Sequence, residues 1–118
     1  MELEKSLLNG MVKPFAVIDH ILQSQGFSRR GDQTVTYHIH IEDTASHTVY
    51  FLRIPARHKG GKGTDGALLQ LDRPYVGKMR GPSRFQSTQH IPKAVIEAAQ
   101  HKLAEIASYL QTMSEKPS

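Results

Sequence analysis

The sequence predicts an α+β domain in which an antiparallel β-meander of three or four strands carries two helices packed on one face. Apolar and polar residues alternate strictly over residues 34–42, and a short polar loop joins this run to residues 48–55, which are rich in β-branched and aromatic residues. Helical periodicity lies on both sides of this strand pair. A chain of this length can form one hydrophobic core, so residues 1–118 are assigned to a single domain.

Each predicted helix has recognisable ends. The first is expected over residues 14–25, because Pro14 suits the first helical position and Gly26 suits a left-handed cap, with Phe27 folding back over the last turn. The second begins near Pro92 and ends before Pro117. Its predicted buried stripe consists of Val95, Ala98, Ala99, Leu103, Ile106, Leu110 and Met113. Residues 2–9 are expected to form a short edge strand or an extended arm.

The strand at residues 48–55 is apolar on both faces. Tyr50, Leu52 and Ile54 share one face, and Val49, Phe51 and Arg53 share the other. Proline cannot donate to a ladder, so Pro55 is expected to end this strand. A third strand is predicted over residues 67–72, followed by a long basic loop at 75–90 in which residues 77–80 could extend the pairing. Since the helices cover one sheet face, a second subunit, a ligand or the 75–90 loop is expected to cover the other.

Positive charge is concentrated in the middle of the chain. The net charge is +4, but residues 53–84 carry eight Lys or Arg and two acidic residues. Such asymmetry can attract an anionic partner, although solvated loops would show it too. The absence of cysteine excludes disulfides and cysteine-ligated zinc. We find no signal peptide and no apolar run of ~18 residues, so a cytoplasmic location and no membrane partner are expected.

A basic, glycine-rich loop is predicted at residues 56–66. Its residues 59–64 differ from a Walker A motif, because Gly63 follows Lys62 and a strand follows the loop. Phosphate or carboxylate binding and a merely flexible connection both remain open. The anion-binding candidates are Arg57, His58, Lys59 and Lys62, joined in the second basic loop by Lys78, Arg80 and Arg84. RNA-binding signatures, zinc fingers and a basic recognition helix are absent, which argues against nucleic-acid binding.

Two histidines and one arginine are further candidates on the uncovered face. His38 and His40 lie about 6–7 Å apart on one strand face, a spacing that would suit a metal if His47, His58 or Glu42 supplied a third ligand. No established metal motif is present, and we predict neither a metal nor a cofactor. Arg53 interrupts an apolar strand, so it requires a carboxylate, carbonyl groups or an anionic ligand. Asp72 or Glu42 could be its structural partner.

The order of these signals resembles the YugN-like family of small bacterial proteins. The shared features are residues 50–55 before a glycine-bearing loop, residues 69–71, Pro74, residues 77–78, and residues 90–92 at the start of the last helix. Upstream, Gly26 and Phe27 close a helix, so the resemblance extends from about Leu7 to Leu110. It implies a cytosolic α+β protein of no assigned activity, and it transfers no catalytic residue.

The sequence therefore favours a binding or accessory protein over an enzyme. No nucleophile elbow and no paired carboxylates on a recognisable scaffold are apparent. The expected form is a homodimer whose interface, or a pocket beside it, contains His38, His40, Phe51 and Arg53. The alternatives are an anion or nucleic-acid binder acting through residues 57–66 and 75–90, and a metal protein or enzyme centred on the histidines.

Overall fold

Residues 8–31, 34–59, 67–79, 85–87 and 91–115 are described by the computed structural model, with the backbone alone at 79, 85–87 and 113–115. These residues contain seven strands and two helices. In chain order they are β1 (Val12–Pro14), α1 (Phe15–Ser24), β2 (Ser28–Arg30), β3 (Thr34–Asp43), β4 (Thr48–Lys59), β5 (Leu68–Leu71), β6 (Tyr75–Met79), β7 (Phe85–Ser87) and α2 (Lys93–Glu115). The α+β class and the two helices are confirmed, whereas the prediction of three or four strands is too low.

Strand β4 lies at the centre of the antiparallel sheet. Along one side it pairs with the whole of β3, from Thr34 opposite Arg57 to Asp43 opposite Thr48. Along the other side, β5 pairs with its second half and β6 with its first half. The sheet continues outward from β3 to β2, from β5 to β1 and from β6 to β7.

The prediction that β4 ends at Pro55 is wrong, because the strand continues to Lys59. The Pro55 carbonyl accepts a hydrogen bond from the Asp72 backbone N–H at 2.8 Å, so this residue faces the β5–β6 side of the strand. In an antiparallel ladder, the N–H and C=O of one residue point to the same neighbour. The missing N–H of Pro55 therefore falls at the break between β5 and β6, where no ladder bond is lost.

The three-residue strands β1, β2 and β7 were not predicted. Residues 28–30 form β2 and pair with Thr36–His38 of β3. Within the predicted loop 75–90, β6 and β7 pair with each other. The edge strand β1 pairs with β5, just after the predicted N-terminal strand, most of which lies outside the described residues. Strands of three residues leave too little periodicity to be recognised in a sequence.

The predicted start of the first helix is wrong by one residue. Pro14 is the last residue of β1 and has a ψ of 140°, so α1 begins at Phe15. The other helix ends follow the predicted chemistry. Gly26 has a φ of 98°, and the Phe27 N–H donates to the Leu22 carbonyl at 3.0 Å, which confirms the left-handed cap. The α2 stripe is buried at Val95, Ala99, Leu103, Ile106, Ala107 and Leu110. Ala98 is exposed, contrary to prediction, and Ala107 takes a place in the core instead. Within the described part of the chain, no helix is long and apolar enough to cross a membrane.

Both helices pack on the same face of the sheet. The core joins Ile18 and Leu22 of α1 and the buried stripe of α2 to Tyr37 of β3 and to Leu52 and Ile54 of β4. Phe51 is also buried, yet it is not part of this core. We call the opposite side the second face, and define it by His38 and His40 of β3 with Phe51 and Arg53 of β4. All the candidate interface residues of the sequence lie on it.

The hairpin between β2 and β3 gives a first testable prediction. Gly26 and Gly31 both have a left-handed φ, of 98° and 94°, so alanine at either position is strained. A Cβ at Gly26 would meet only the end of the Ile39 side chain at 3.3 Å, whereas a Cβ at Gly31 would overlap the Thr34 carbonyl oxygen. We expect Gly26→Ala to cost about 1 kcal/mol and Gly31→Ala roughly 1–3 kcal/mol more.

Urea denaturation of the two variants and the parent chain measures this difference. Equal losses of unfolding free energy in the two variants would show that the β2–β3 turn relaxes around the added methyl group.

Candidate functional site

Phe51 is buried outside the main core and packs against two histidines. Its side chain is 6% exposed, and its ring centroid lies 4.4 Å from that of His40 and 5.9 Å from that of His38, both in edge-on geometry. On the opposite side its Cα partner is Gly77 of β6. The aromatic ring thus finds its cover within its own chain, and the two imidazoles are held against it.

Arg53 lies two residues beyond Phe51 on β4, on the same second face. Its Cα partners are His38 of β3 and Tyr75 of β6. The residue is half-buried, its Nε atom is buried, and it takes part in interactions within the chain. Asp72 was one of its predicted partners, but it forms an ion pair with Arg57, whose Nη2 lies 3.3 Å from the Asp72 Oδ1. Arg53 therefore places a guanidinium beside an imidazole in the middle of this face.

The electrostatic environment of His38 is positive. Its pKa is lowered, first by burial and then by the charges of Arg30, Arg53 and His40. Arg30 belongs to β2 and lies opposite Thr36, which places it on the same face as His38. We call Arg30, His38, His40 and Arg53 the basic cluster. Arg30 is not among the candidates from the sequence, because a strand of three residues has too little periodicity to define a side-chain face.

The predicted basic loop does not act as one unit in the structure. Because β4 continues to Lys59, successive side chains point to opposite faces. Arg57 lies on the second face, where it is exposed and paired with Asp72. His58 points to the helix side, with its ring centroid 6.1 Å from that of Phe15. Lys59 is exposed, and Lys62 lies outside the described residues, as do Arg80 and Arg84.

The ligands considered for a metal do not come together in the structure. Among the described residues, no group of three His, Cys, Asp or Glu side chains is close enough to hold a metal ion. His58 faces the helices, while His38 and His40 face the other way. His47 lies in the β3–β4 turn with a φ of 56°. The histidine pair is thus arranged around an aromatic ring and basic neighbours.

A polar network on the helix side was not predicted. Asp19 of α1 accepts hydrogen bonds from the Tyr37 hydroxyl at 2.9 Å and from Gln23 at 2.9 Å. Arg29 of β2 pairs with the same carboxylate at 2.5 Å and lies 5.3 Å from the centre of the Phe15 ring. This network joins α1 to β2 and β3. The available signal was Tyr37 itself, since a tyrosine in an apolar strand face needs a partner for its hydroxyl.

The pKa values agree with this network. Burial acts to raise the pKa of Asp19, but hydrogen bonds from Gln23, Tyr37 and Arg29 outweigh it, and the pKa lies below its ordinary value. Burial, and then the hydrogen bond to Asp19, raise the pKa of the Tyr37 phenol. The hydroxyl therefore remains protonated and the carboxylate charged at neutral pH. The function of the network is structural.

We expect Tyr37→Phe to lower the unfolding free energy by about 1–2 kcal/mol, because it removes a hydrogen bond to a charged and partly buried acceptor. Tyr109→Phe is the matched control, since Tyr109 is 44% exposed on α2. Chemical denaturation measures both variants. If Tyr37→Phe loses no more unfolding free energy than the control, the hydrogen bonds from Gln23 and Arg29 are sufficient for Asp19.

The lowered pKa of His38 gives a prediction about pH. The folded-state pKa lies below the unfolded value of 6.5, so the unfolded chain binds this proton more readily. Stability is therefore lost as pH falls through about 6.5, and the loss is complete below the folded pKa. We expect His38→Gln to flatten the thermal stability profile between about pH 5 and 7, whereas His101→Gln, at an exposed position of α2, keeps the parent slope. If thermal stability changes with pH equally in the parent and both variants, His38 is not the group responsible.

Comparisons with known proteins bear on the fold. A solved structure, that of the uncharacterised conserved protein YugN from Geobacillus kaustophilus HTA426, is similar to this chain with a TM-score of 0.79 and 25% sequence identity. The similarity covers 98% of this chain and 99% of that one. No family model and no curated protein matches the sequence. The chain therefore has a YugN-like fold, in agreement with the resemblance seen in the order of the sequence motifs.

Proposed function

We propose that this protein is a cytoplasmic accessory protein that binds an anionic ligand on the second face and does not act as an enzyme. The observation that carries the proposal is the basic cluster. Two arginines and two histidines from three adjacent strands share one sheet face, and both helices pack on the other. Clustered positive charge attracts anions and raises their local concentration.

The surroundings of the cluster support binding rather than catalysis. We call residues that lie in register across successive strands a row. Among the described residues, the row of His38 contains Ser28, Arg53 and Tyr75, and the row of His40 contains Phe51, Gly77 and Ser87. Neither row contains a carboxylate among these residues. A histidine that works as a general base is usually oriented by a carboxylate or another acceptor. Here the charges that lower the pKa of His38, those of Arg30, Arg53 and His40, are all positive.

A second copy of the chain is the competing occupant of this face. An isologous dimer would bring two basic clusters together around a two-fold axis, and like charges in contact are unfavourable. Phe51 is only 6% exposed, and Val49 is 36% exposed, so the face offers little apolar area to a second copy. These features favour an anion as the ligand, while self-association remains measurable by light scattering at ~50 µM.

The test is thermal unfolding at about pH 6.5 and constant ionic strength, with chloride replaced by citrate, sulfate or phosphate. At a concentration ten times its dissociation constant, a bound anion adds about 1.4 kcal/mol, which corresponds to a rise in Tm of roughly 5 °C for a domain of this size. We expect such a rise for at least one of these anions in the parent protein.

Two variants identify the surface. Arg30→Gln removes an exposed charge of the basic cluster, and Lys93→Ala removes an exposed charge from the start of α2. We expect the first to reduce the anion effect and the second to leave it unchanged. The proposal is refuted if none of the three anions exceeds chloride, or if both variants respond like the parent. A dimer that persists at high ionic strength would favour the second copy instead.

A further inference from the structure

We infer that the second face takes a compact, doubly charged oxyanion of the phosphate class between Arg30, His38 and Arg53, and that His38 gains a proton when the anion binds. This inference rests on the proposed function and specifies its ligand. The ligand could be inorganic phosphate or the phosphate group of an ester, since both present the same oxygens.

The strand register brings the three side chains around one point. His38 lies directly opposite Arg53, and Arg30 lies opposite Thr36, two residues before His38. Directly opposed residues have Cβ atoms about 4.5–5.5 Å apart, and diagonal neighbours are about 7–8 Å apart. A tetrahedral oxyanion can therefore contact donors from β2, β3 and β4 at once. A guanidinium presents two parallel N–H donors, the geometry that recognises phosphate.

The number of positive groups favours two negative charges over one. A single carboxylate would balance Arg30 and leave no counter-charge for a protonated His38. A phosphate monoester carries between one and a half and two negative charges near neutrality and offers three acceptor oxygens. Arg57, the next arginine along this face of β4, already pairs with Asp72 at 3.3 Å. Arg57 is therefore not counted among the groups that would hold the anion.

A polynucleotide fits these features less well. Single-strand binding needs a tract of positive charge and aromatic faces on which bases stack. Phe51 is 6% exposed with both histidine rings against it, and Tyr75, in register with Arg53 on the same face, is half-buried. Neither residue presents a fully exposed ring on which a base could stack. The described part of this surface therefore suits a small anion better than an extended nucleic-acid strand.

Coupling to a proton follows from the neighbours of His38. Arg30 faces it from β2, Arg53 from β4 and His40 from its own strand, and each of these positive charges opposes its protonation. Beyond Arg53 the next residue of the row is Tyr75, and Glu42 lies two positions past His40, opposite Val49. A bound dianion would offset the positive field. His38 would then be protonated in the complex at a pH where it is neutral in the free protein.

Isothermal titration with sulfate tests both parts of the inference. Sulfate keeps its two charges over the whole working range, so any pH dependence belongs to the protein. We expect sulfate to bind with proton uptake when buffers of different ionisation enthalpy are compared at about pH 6.5. Affinity should weaken as pH rises, by up to about tenfold per pH unit. Inorganic phosphate and glycerol phosphate are titrated in parallel. Whichever binds more tightly shows whether the ligand is free phosphate or a phosphate ester.

Variants assign the effects to residues. His38→Gln should still bind sulfate, more weakly and without proton uptake, whereas His101→Gln should behave like the parent. Arg30→Gln should weaken binding about tenfold, and Lys93→Ala should not. Arg30 is exposed on a short strand, so its variant is expected to fold, which circular dichroism verifies.

Four outcomes would overturn the inference. Citrate that raises Tm while sulfate and phosphate fail would leave the proposed function intact and refute the ligand class. Sulfate binding without proton uptake would refute the role of His38. Equal affinities in Arg30→Gln and Lys93→Ala would place the anion elsewhere. A single-stranded oligonucleotide that binds more tightly than sulfate, and is weakened by Arg30→Gln, would identify a polynucleotide site.

Discussion

The rest of the structure depends on the pairing of β4 along both of its edges. One edge carries β3, and the other is shared between β5 and β6. A strand paired on both sides cannot rotate about its axis without breaking both ladders. Each β4 side chain is therefore committed to one face. Leu52 and Ile54 enter the core, while Phe51 and Arg53 are presented on the second face.

This commitment gives the two faces different chemistry. On the helix side, the apolar core is bordered by the network of Asp19, Tyr37 and Arg29, in which every charge has a partner. On the second face, the two histidines of the basic cluster pack against Phe51, and the pKa of His38 is lowered by burial and by its positive neighbours. Positive charges gathered on one face repel one another unless a ligand or a counter-charge offsets them. Such a local cost is common where a surface is adapted to binding.

Much of the fold could be predicted because the relevant forces are local. The left-handed cap at Gly26 and the alternation over β3 depend on neighbouring residues, and both are present in the structure. The extension of β4 beyond Pro55 could not be predicted in this way. It depends on the break between β5 and β6, which lies more than fifteen residues later in the chain. For the same reason the pairing of Arg57 with Asp72 was not anticipated.

The sequence by itself determined the α+β class, the left-handed cap at the end of α1, the extent of α2, and the division of β4 into a core set and a second set containing Phe51 and Arg53. These follow from periodicity and backbone preference, which act over a few residues. Only the tertiary structure decided which other side chains join that second set. Arg30 reaches it because β2 pairs with β3, and His58 leaves it because β4 continues as a strand. Strand pairing connects residues far apart in the chain, so the basic cluster exists only in the folded protein.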